Sequence, residues 1–402
     1  MNIITEKITF GGKSIGKIDG KNVFIPYAIP GETLDINITE SKRDYDNAEI
    51  VSIVRASEYR VEPECKYYGK CGGCNMMHIE ESYQRVLRTQ MLEDIFSQNG
   101  IDVAGRINVV YGPGKNYRAR FQLNNGGLSE RSSNITVPVS ECICAEKIIN
   151  EYLKITPVEI RPQGRIHLFG SKYADNELKI AYNENAEKRN APVKLKGGKK
   201  IKVKENHHFA GTIISPEYTI AVNINGKKLT FDIRGFFQSN LYVFEKVTQL
   251  ILDNLPGGEN ILDMYAGCGS ISTFLTEKYK NVVLVEHNRD ALVYAEQNLS
   301  GTTHLSYGLS GAAWVKNCSQ FAGKFDACVV DPPRSGMEKE VREYLCKSKI
   351  PYIISLSCDP ATHARDCAAL IKAGYILKRI YLLDFYPNTS HIESLSVFEL
   401  QI

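Results

Sequence analysis

From Asn260 to the C-terminus, short runs rich in Val, Ile and Leu alternate with helical stretches, and this alternation constrains the chain more than any other feature. The strand candidates are Ile261–Tyr265, Val282–Glu286, His304–Tyr307, Ala327–Val330, Tyr352–Leu356 and Ile376–Leu383. The helical stretches are Ile271–Tyr279, Arg289–Leu299, Glu338–Leu345 and Pro360–Ala373. A seventh strand candidate, Ser394–Leu400, follows the sixth with no helix between them. Parallel neighbours need a crossover and antiparallel ones do not. The pattern therefore predicts an α/β fold, a doubly wound and mostly parallel sheet whose last strand enters antiparallel.

Upstream the pattern differs. The first 57 residues read as short strands: Ser14–Asp19 and Asn22–Pro26 around a turn at Asp19-Gly20-Lys21, then Thr33–Glu40 and Ala48–Val54. They suit a five-stranded, OB-like barrel, a shape that often binds oligonucleotides and elsewhere is a spacer. Tyr83–Gln98 has helical spacing and ends at Gly100. Val109–Phe231 is β-like, with hairpin tips expected at Gly197-Gly198 and Asn225-Gly226. A chain of 402 residues, 43% hydrophobic and 24% charged, has room for two or three cored domains. It has no apolar run near the ~20 residues that cross a bilayer and no leader pattern at Met1–Lys7, so the expectation is an intracellular, cytoplasmic protein with no membrane partner. The net charge of +3 predicts no particular partner. The run from Lys188 to Lys204, with Arg189, Lys194, Lys196, Lys199, Lys200 and Lys202 and no acid, is either a solvated face or a contact for a phosphate backbone.

Chemistry gathers at the expected strand ends. Asp263-Met264-Tyr265-Ala266-Gly267-Cys268-Gly269-Ser270 follows the first strand, where Gly267 and Gly269 let the backbone turn tightly and approach a ligand. Glu286, about twenty positions on at the end of the second strand, suits two ribose hydroxyls. Asp331-Pro332-Pro333-Arg334 makes a rigid turn after the fourth strand. Together these look more like a class I S-adenosylmethionine (SAM) methyltransferase than a dehydrogenase, whose third glycine is missing. After the fifth strand, Asp359 can cap a helix with Pro360 at its first position, placing Cys358 at a helix N-terminus. The helix dipole there is expected to lower the thiol pKa and supply thiolate, with Asp359 opposing and Arg334 or Arg365 offsetting. By spacing alone Glu393 is a surface acid at a strand end; in the expected fold it comes near the ligand edge, where a carboxylate can abstract a proton.

These pieces, with Cys65-x5-Cys71-Gly72-Gly73-Cys74 and His78, Phe236-Phe237-Gln238-Ser239-Asn240 and His391-Ile392-Glu393-Ser394, resemble in order the RNA uracil-5-methyltransferase family, in particular its iron–sulfur branch that modifies ribosomal RNA. The resemblance runs from an N-terminal barrel similar to the TRAM domain to the last strand. It implies a TRAM-like barrel over 1–57, a central iron–sulfur and RNA-binding region over 58–235, and a Rossmann-like SAM methyltransferase domain over 236–402. It makes Cys358 the nucleophile and Glu393 the base, and puts Gln238, Tyr265, Glu286 and Asp331 on SAM. The acid that the family carries after the third strand is missing near Gly308-Leu309-Ser310, so adenine recognition is expected to differ, and Ala266 replaces a frequent cysteine.

Uracil C5 is too poor a nucleophile to take a methyl group directly. A thiolate adding at C6 makes an enolate reactive at C5, and a base then removes the C5 proton. An amino-group methyltransferase is the alternative enzyme, although Arg334 stands where those sites place an aromatic residue. A non-catalytic RNA-binding factor is the alternative outside enzymes, and it needs neither Cys358 nor Glu393. Ribosomal RNA is the first expectation for the partner, transfer RNA the second, and a monomer the default state. The chain has 11 cysteines and no secretory pattern, which argues against a disulfide framework. Cys65, Cys71 and Cys74 offer three local thiolates, closer to iron–sulfur ligation than to paired zinc knuckles. The resemblance implies a [4Fe–4S] cluster with a remote fourth cysteine after Val137-Pro138-Val139: Cys142, with Cys144 the rival.

Overall fold

The computed structural model describes residues 1–182, 216–317 and 324–401. The basic run, the expected tip at Gly197-Gly198 and Cys318 lie outside the described residues. Strands Asn2–Ile8, Lys13–Ile18, Lys21–Pro26, Thr33–Ser41 and Tyr45–Arg55 form a closed barrel. Alternate residues Ile3, Val23, Ile25, Leu34, Ile36 and Ala48 point inward and fill it. Asn2–Ile8, which sequence reading did not single out, closes the barrel by pairing with both Lys13–Ile18 and Thr33–Ser41.

The large sheet has eight strands. Their order in space is His304–Tyr307, Tyr279–Val285, Gly258–Met264, Ala327–Val330, Tyr352–Ser357, Glu393–Leu400, Tyr375–Leu383 and Ile107–Val110. All neighbours pair in parallel except Glu393–Leu400, which is antiparallel to both strands beside it. The expected architecture is thus present, with the last strand inserted between the fifth and sixth.

Four differences matter. The helix expected over Ile271–Tyr279 is only Ser272–Leu275, because Tyr279 already pairs with Gly258 and opens the next strand. Helix Leu241–Asp253 went unread because its buried face of Val243, Phe244, Val247, Thr248 and Ile251 is β-branched and aromatic, a composition of weak helix propensity. Helices Lys147–Ile155 and Gly311–Asn317 also lie in stretches read as β or left unassigned. Finally, Ile107–Val110 comes from far upstream of the catalytic region yet completes the sheet's edge beside Tyr375–Leu383.

Helix Glu81–Gln98 likewise packs on this sheet. Its Met91, Leu92 and Phe96 share one core with Leu262, Val330, Leu370 and Ile380. A smaller antiparallel sheet of Leu178–Tyr182, Arg165–Gly170 and Arg120–Asn124 buries Phe121, Leu123, Ile166 and Leu168 against Ile149 and Leu153 of helix Lys147–Ile155. The hairpin Thr219–Ile224/Lys227–Asp232 turns at Asn225-Gly226, both with positive φ (44° and 77°), as a tight two-residue turn requires.

Helix Glu81–Gln98 is pinned by a wholly buried ion pair. Arg88 Nη1 lies 2.7 Å from Asp384 Oδ1, each side chain 1% exposed. Arg88 Nη2 and Asp384 Oδ2 have no hydrogen-bond partner, so the pair is costly to desolvate and costlier to split. Arg88→Met is expected to cost about 3–5 kcal/mol, because it leaves Asp384 buried and alone, whereas Arg88→Met with Asp384→Leu should recover most of the loss. Thermal denaturation of the two variants beside the parent protein measures both.

Candidate active site and cysteine pocket

The glycine turn is built on strain and on one carboxylate. Tyr265, directly after strand Gly258–Met264, has φ of 68°, a left-handed conformation costing a non-glycine residue about 1–3 kcal/mol. Its N–H and that of Ala266 donate to Val285 O of the neighbouring strand, and its hydroxyl accepts from Glu338 N–H. Gly267 and Gly269 follow with φ of 57° and 72°. A Cβ on Gly269 would meet Ala295 of helix Arg289–Asn298 and Leu299 just after it, while one on Gly267 would meet open space. Glu286 is buried at the next strand end. One oxygen accepts from Gly267 N–H at 2.9 Å and the other from Asn288 N–H at 2.6 Å. The acid and the glycine turn are therefore one unit. After the third strand the turn holds Gly308, Leu309 and Ser310, whose hydroxyl accepts from Ala313 N–H of the short helix beyond.

Asp263, one residue before the strand ends, was quoted in the motif but given no role. It is buried, takes a hydrogen bond from the Ser272 hydroxyl, and burial pushes its pKa up to about 7. It ties the strand to the short helix behind the glycines.

The inserted strand assembles the second half of the site. Ser357 pairs with Ser394 at the end of their ladder, so Cys358, just past its strand, and Glu393, the first residue of the adjacent one, come to the same end, near enough for the carboxylate to act on the thiol. A small cavity beside them is lined by Gln238, Asp331, Leu356, Ser357, Leu383, Phe385 and Glu393. Gln238 is buried and its Oε1 has no hydrogen-bond partner. Asn240, two residues on, caps helix Leu241–Asp253 by accepting from Val243 N–H, and donates to Phe385 O. The segment carrying Gln238 is thus fixed against the loop that leads to Glu393.

Electrostatics at this edge run against the expectation for the nucleophile. Asp359 does cap helix Pro360–Lys372, accepting from Thr362 N–H at 2.9 Å, with Pro360 at the first position. The Cys358 thiol is nevertheless pushed up to about 11, first by burial and then by the Glu393 and Asp331 carboxylates, with Arg334 only partly offsetting them. Arg365, the other candidate, is engaged with Asp366. The resting residue is a thiol, because desolvation and two acids outweigh the dipole of one helix. Glu393 is not a surface acid: burial and Asp331 push it up to about 8, and burial pushes Asp331 up to about 6. Arg118, Tyr386 and His391 lie around the same group, the Tyr386 and His391 rings 5.7 Å apart. No local pattern in the sequence joins Arg118 to residues 386–393.

Arg118 also borders a second feature. Cys65, Cys71, Cys74, Cys142 and Cys144 line one open pocket with Arg118, Phe121, Gln122 and Arg131. Cys74 Sγ and Cys144 Sγ are 3.8 Å apart. Cys144 is buried, its carbonyl accepting from Tyr117 and Arg118 N–H, whereas the other four cysteines are partly exposed. His78 is buried and takes up its Nδ1 with the Tyr68 hydroxyl at 2.6 Å, outside the pocket lining. Among the described residues no three His, Cys, Asp or Glu side chains converge closely enough to hold a single ion. The donor set is five cysteine sulfurs around one pocket, a thiol-rich lining with, among the described residues, no carboxylate ligand set of the single-ion kind.

Comparison with known proteins agrees with this layout. Residues 1–51 match the TRAM domain, 237–347 the methyltransferase small domain, and 317–400 the tRNA (uracil-5-)-methyltransferase family. An uncharacterised RNA methyltransferase of Treponema denticola is 34% identical over 98% of this chain and 98% of its own length. A 23S rRNA (uracil(1939)-C(5))-methyltransferase of Shewanella sp. (strain MR-4) is 29% identical over 97% of this chain and 93% of its own. The crystal structure of a Pyrococcus abyssi tRNA (uracil-54, C5)-methyltransferase with S-adenosyl-L-homocysteine shares the fold with a TM-score of 0.72 at 21% identity, covering 99% of this chain and 100% of that one. With a barrel, a methyltransferase sheet and these matches in the same order along its length, the chain belongs to the RNA uracil-5-methyltransferase family.

Proposed function

We propose that the protein methylates C5 of a uridine in structured RNA, with Cys358 as nucleophile, Glu393 as base and SAM as methyl donor. The observation that carries this reading is that the antiparallel ladder ending at Ser357 and Ser394 brings Cys358 and Glu393 to one strand end, beside the cavity of Gln238 and Asp331. Cys358 gives its Sγ proton to water as Sγ bonds to C6, and the C5=C6 electron pair moves into an enolate. C5 takes the methyl group as the donor's S–CH3 bond breaks. Glu393 then removes the C5 proton, the double bond re-forms, and the thiolate leaves. Incubation with SAM and RNA carrying 5-fluorouridine should yield an RNA–protein adduct at Cys358 with one added methyl group. Glu393→Gln should accumulate the same methylated adduct on ordinary uridine RNA. Peptide-resolved mass spectrometry measures both, and absence of any adduct with the parent protein would overturn the assignment.

The site fits a cationic donor. Asp331, Glu393 and Cys358 each gain from a neighbouring positive charge, since burial disfavours the ionised form of all three and Asp331 adds to it at Glu393 and Cys358. Gln238 Oε1 is an orphaned acceptor at the same cavity. We assign Gln238 and Asp331 to the methionine end, Tyr265, Gly267 and Gly269 to the body of the donor, and Glu286 to the ribose, where its oxygens already meet the glycine turn. Acids with raised pKa values are neutral below them and ionised above, so a sulfonium should bind more tightly as pH rises, whereas the uncharged thioether product should not. From pH 5.5 to 8.5 the affinity ratio of SAM to S-adenosylhomocysteine should increase roughly tenfold, and Asp331→Asn should flatten the rise. Isothermal titration calorimetry at the two pH values is the check.

For the RNA, ribosomal RNA is the first reading, supported by the near full-length relatives of that name, and transfer RNA the second. Phe10, Lys13, Phe24 and Tyr45 line a shallow cavity on the barrel, offering stacking faces beside a cation, as single-stranded RNA requires. A monomer is the state and the cytoplasm the compartment we assign. We further assign Cys65, Cys71, Cys74 and Cys142 to a [4Fe–4S] cluster, with the buried Cys144 behind them. The cluster's place is to order the segment between barrel and sheet. Anaerobically purified protein should carry about four iron atoms per chain. Cys142→Ser should lose the visible chromophore and lower the melting temperature, and Cys144→Ser should keep both; the reverse result would make Cys144 the ligand.

A further inference from the structure

The loop from Asp384 to Ile392 delivers Glu393 to its strand, and it is held almost entirely by residues from the other end of the chain. Asn388, buried with φ of 67°, uses every polar group it has. Its N–H donates to Gln84 Oε1 at 2.8 Å, and its Oδ1 accepts from Gln84 Nε2 at 3.2 Å. Its Nδ2 donates to Gly114 O at 3.0 Å, and its carbonyl accepts from the N–H groups of both Asn75 and Met76. Tyr117 donates its hydroxyl to Pro387 O. Ser390, three residues before the base, is bound reciprocally by Asn75: its N–H donates to Asn75 Oδ1 at 2.8 Å, and its hydroxyl accepts from Asn75 Nδ2 at 2.9 Å. Asn75 Nδ2 also donates to Gly11 O of the barrel at 3.1 Å. The junction is tight: a Cβ on Gly12 would lie 2.5 Å from Asn75 Nδ2.

Asn75 is the residue directly after Cys74. One side-chain amide therefore joins three bodies: the barrel turn at Gly11-Gly12, the cysteine segment and the loop carrying the base. We propose that Asn75 is a positioning residue for Glu393, so that the order of the cysteine segment and the seating of the barrel set the geometry of proton abstraction and leave nucleophilic attack and methyl transfer untouched. Cys358 and Asp331 sit at the ends of strands fixed by parallel pairing deep in the sheet. Glu393 opens its strand, and the loop before it has its own side-chain anchors. Loosening these anchors displaces the base without displacing the nucleophile. A displacement of about 1 Å is enough to slow a step roughly a hundredfold. The inference rests on the assignment of Glu393 as base.

Ser390→Ala and Asn75→Ala separate the steps. Ser390 does not neighbour a cysteine, so the first variant keeps the clamp's test independent of the cysteine pocket, and iron content is measured for both. Trapping by 5-fluorouridine RNA needs the nucleophile and methyl transfer but no proton abstraction. The expected result is trapping within about twofold of the parent protein in Ser390→Ala, turnover on uridine RNA reduced roughly tenfold or more, and a methylated covalent RNA adduct accumulating by mass spectrometry. Asn75→Ala should show the same pattern more strongly. The proposal is overturned if turnover is unchanged in both variants, or if trapping and turnover fall together with no adduct on uridine RNA. The parent protein's own trapping is a separate result: its failure would remove the assignment of Cys358 and Glu393, whereas parent trapping with unaffected variants removes only the clamp.

Discussion

Everything in the site depends on one antiparallel insertion. Had Glu393–Leu400 been added at the edge of a parallel sheet, its first residue would lie at the opposite end from the ligand or beyond reach of Cys358. By entering between Tyr352–Ser357 and Tyr375–Leu383 in the reverse direction, it begins where its neighbour ends. Cys358 and Glu393 then meet at one end of the ladder that closes with Ser357 and Ser394, Cys358 held by its strand and Glu393 reached through the loop before it. The adjoining parallel strands bring Asp331, Tyr265 and Glu286 to the same edge, as such sheets do at their carboxyl ends.

The arrangement is electrostatically unfinished by design of its sequence. Two acids, Asp331 and Glu393, and a thiol are gathered where water is scarce, with Arg334 the main cation acting on Cys358 and Glu393. Such a group is stable when protonated and reactive when a positive charge joins it. A thiol that stays protonated until its partners arrive is protected from oxidation and alkylation in the meantime. The raised thiol thus corrects the simple helix-dipole argument and gives the correction a purpose.

Local chemistry was legible in the sequence wherever it is written in consecutive residues. The glycine turn, Asp331-Pro332-Pro333, the capped helix after Cys358 and the hairpin at Asn225-Gly226 all lie where their residue types demand, and the strands His304–Tyr307 and Ala327–Val330 have the expected bounds. Long-range pairing was not legible. Nothing near Ile107–Val110 says that it will meet Leu383, and nothing near Arg118 says that it will stand by Tyr386. Helix Leu241–Asp253 was missed because burial, which no single window reveals, outweighs the propensity of its Val, Ile and Thr residues. The thiol's state was misread for a related reason: the dipole is local, while Glu393 and Asp331 arrive from other strands.

The edge strand Ile107–Val110 has a consequence for how such a chain can be made and divided. Tyr375–Leu383 would otherwise present a bare row of backbone donors and acceptors, an invitation to pair with another molecule. Its cover is synthesised some 270 residues earlier (383 less 110 is 273), together with helix Glu81–Gln98, which shares the sheet's core. During translation that cover has nothing to dock on until the catalytic half has emerged, so the early segment must wait, tethered between a barrel that can close at once and a sheet that does not yet exist. The catalytic half is accordingly no module to be cut out or exchanged: its last edge belongs to the beginning of the chain.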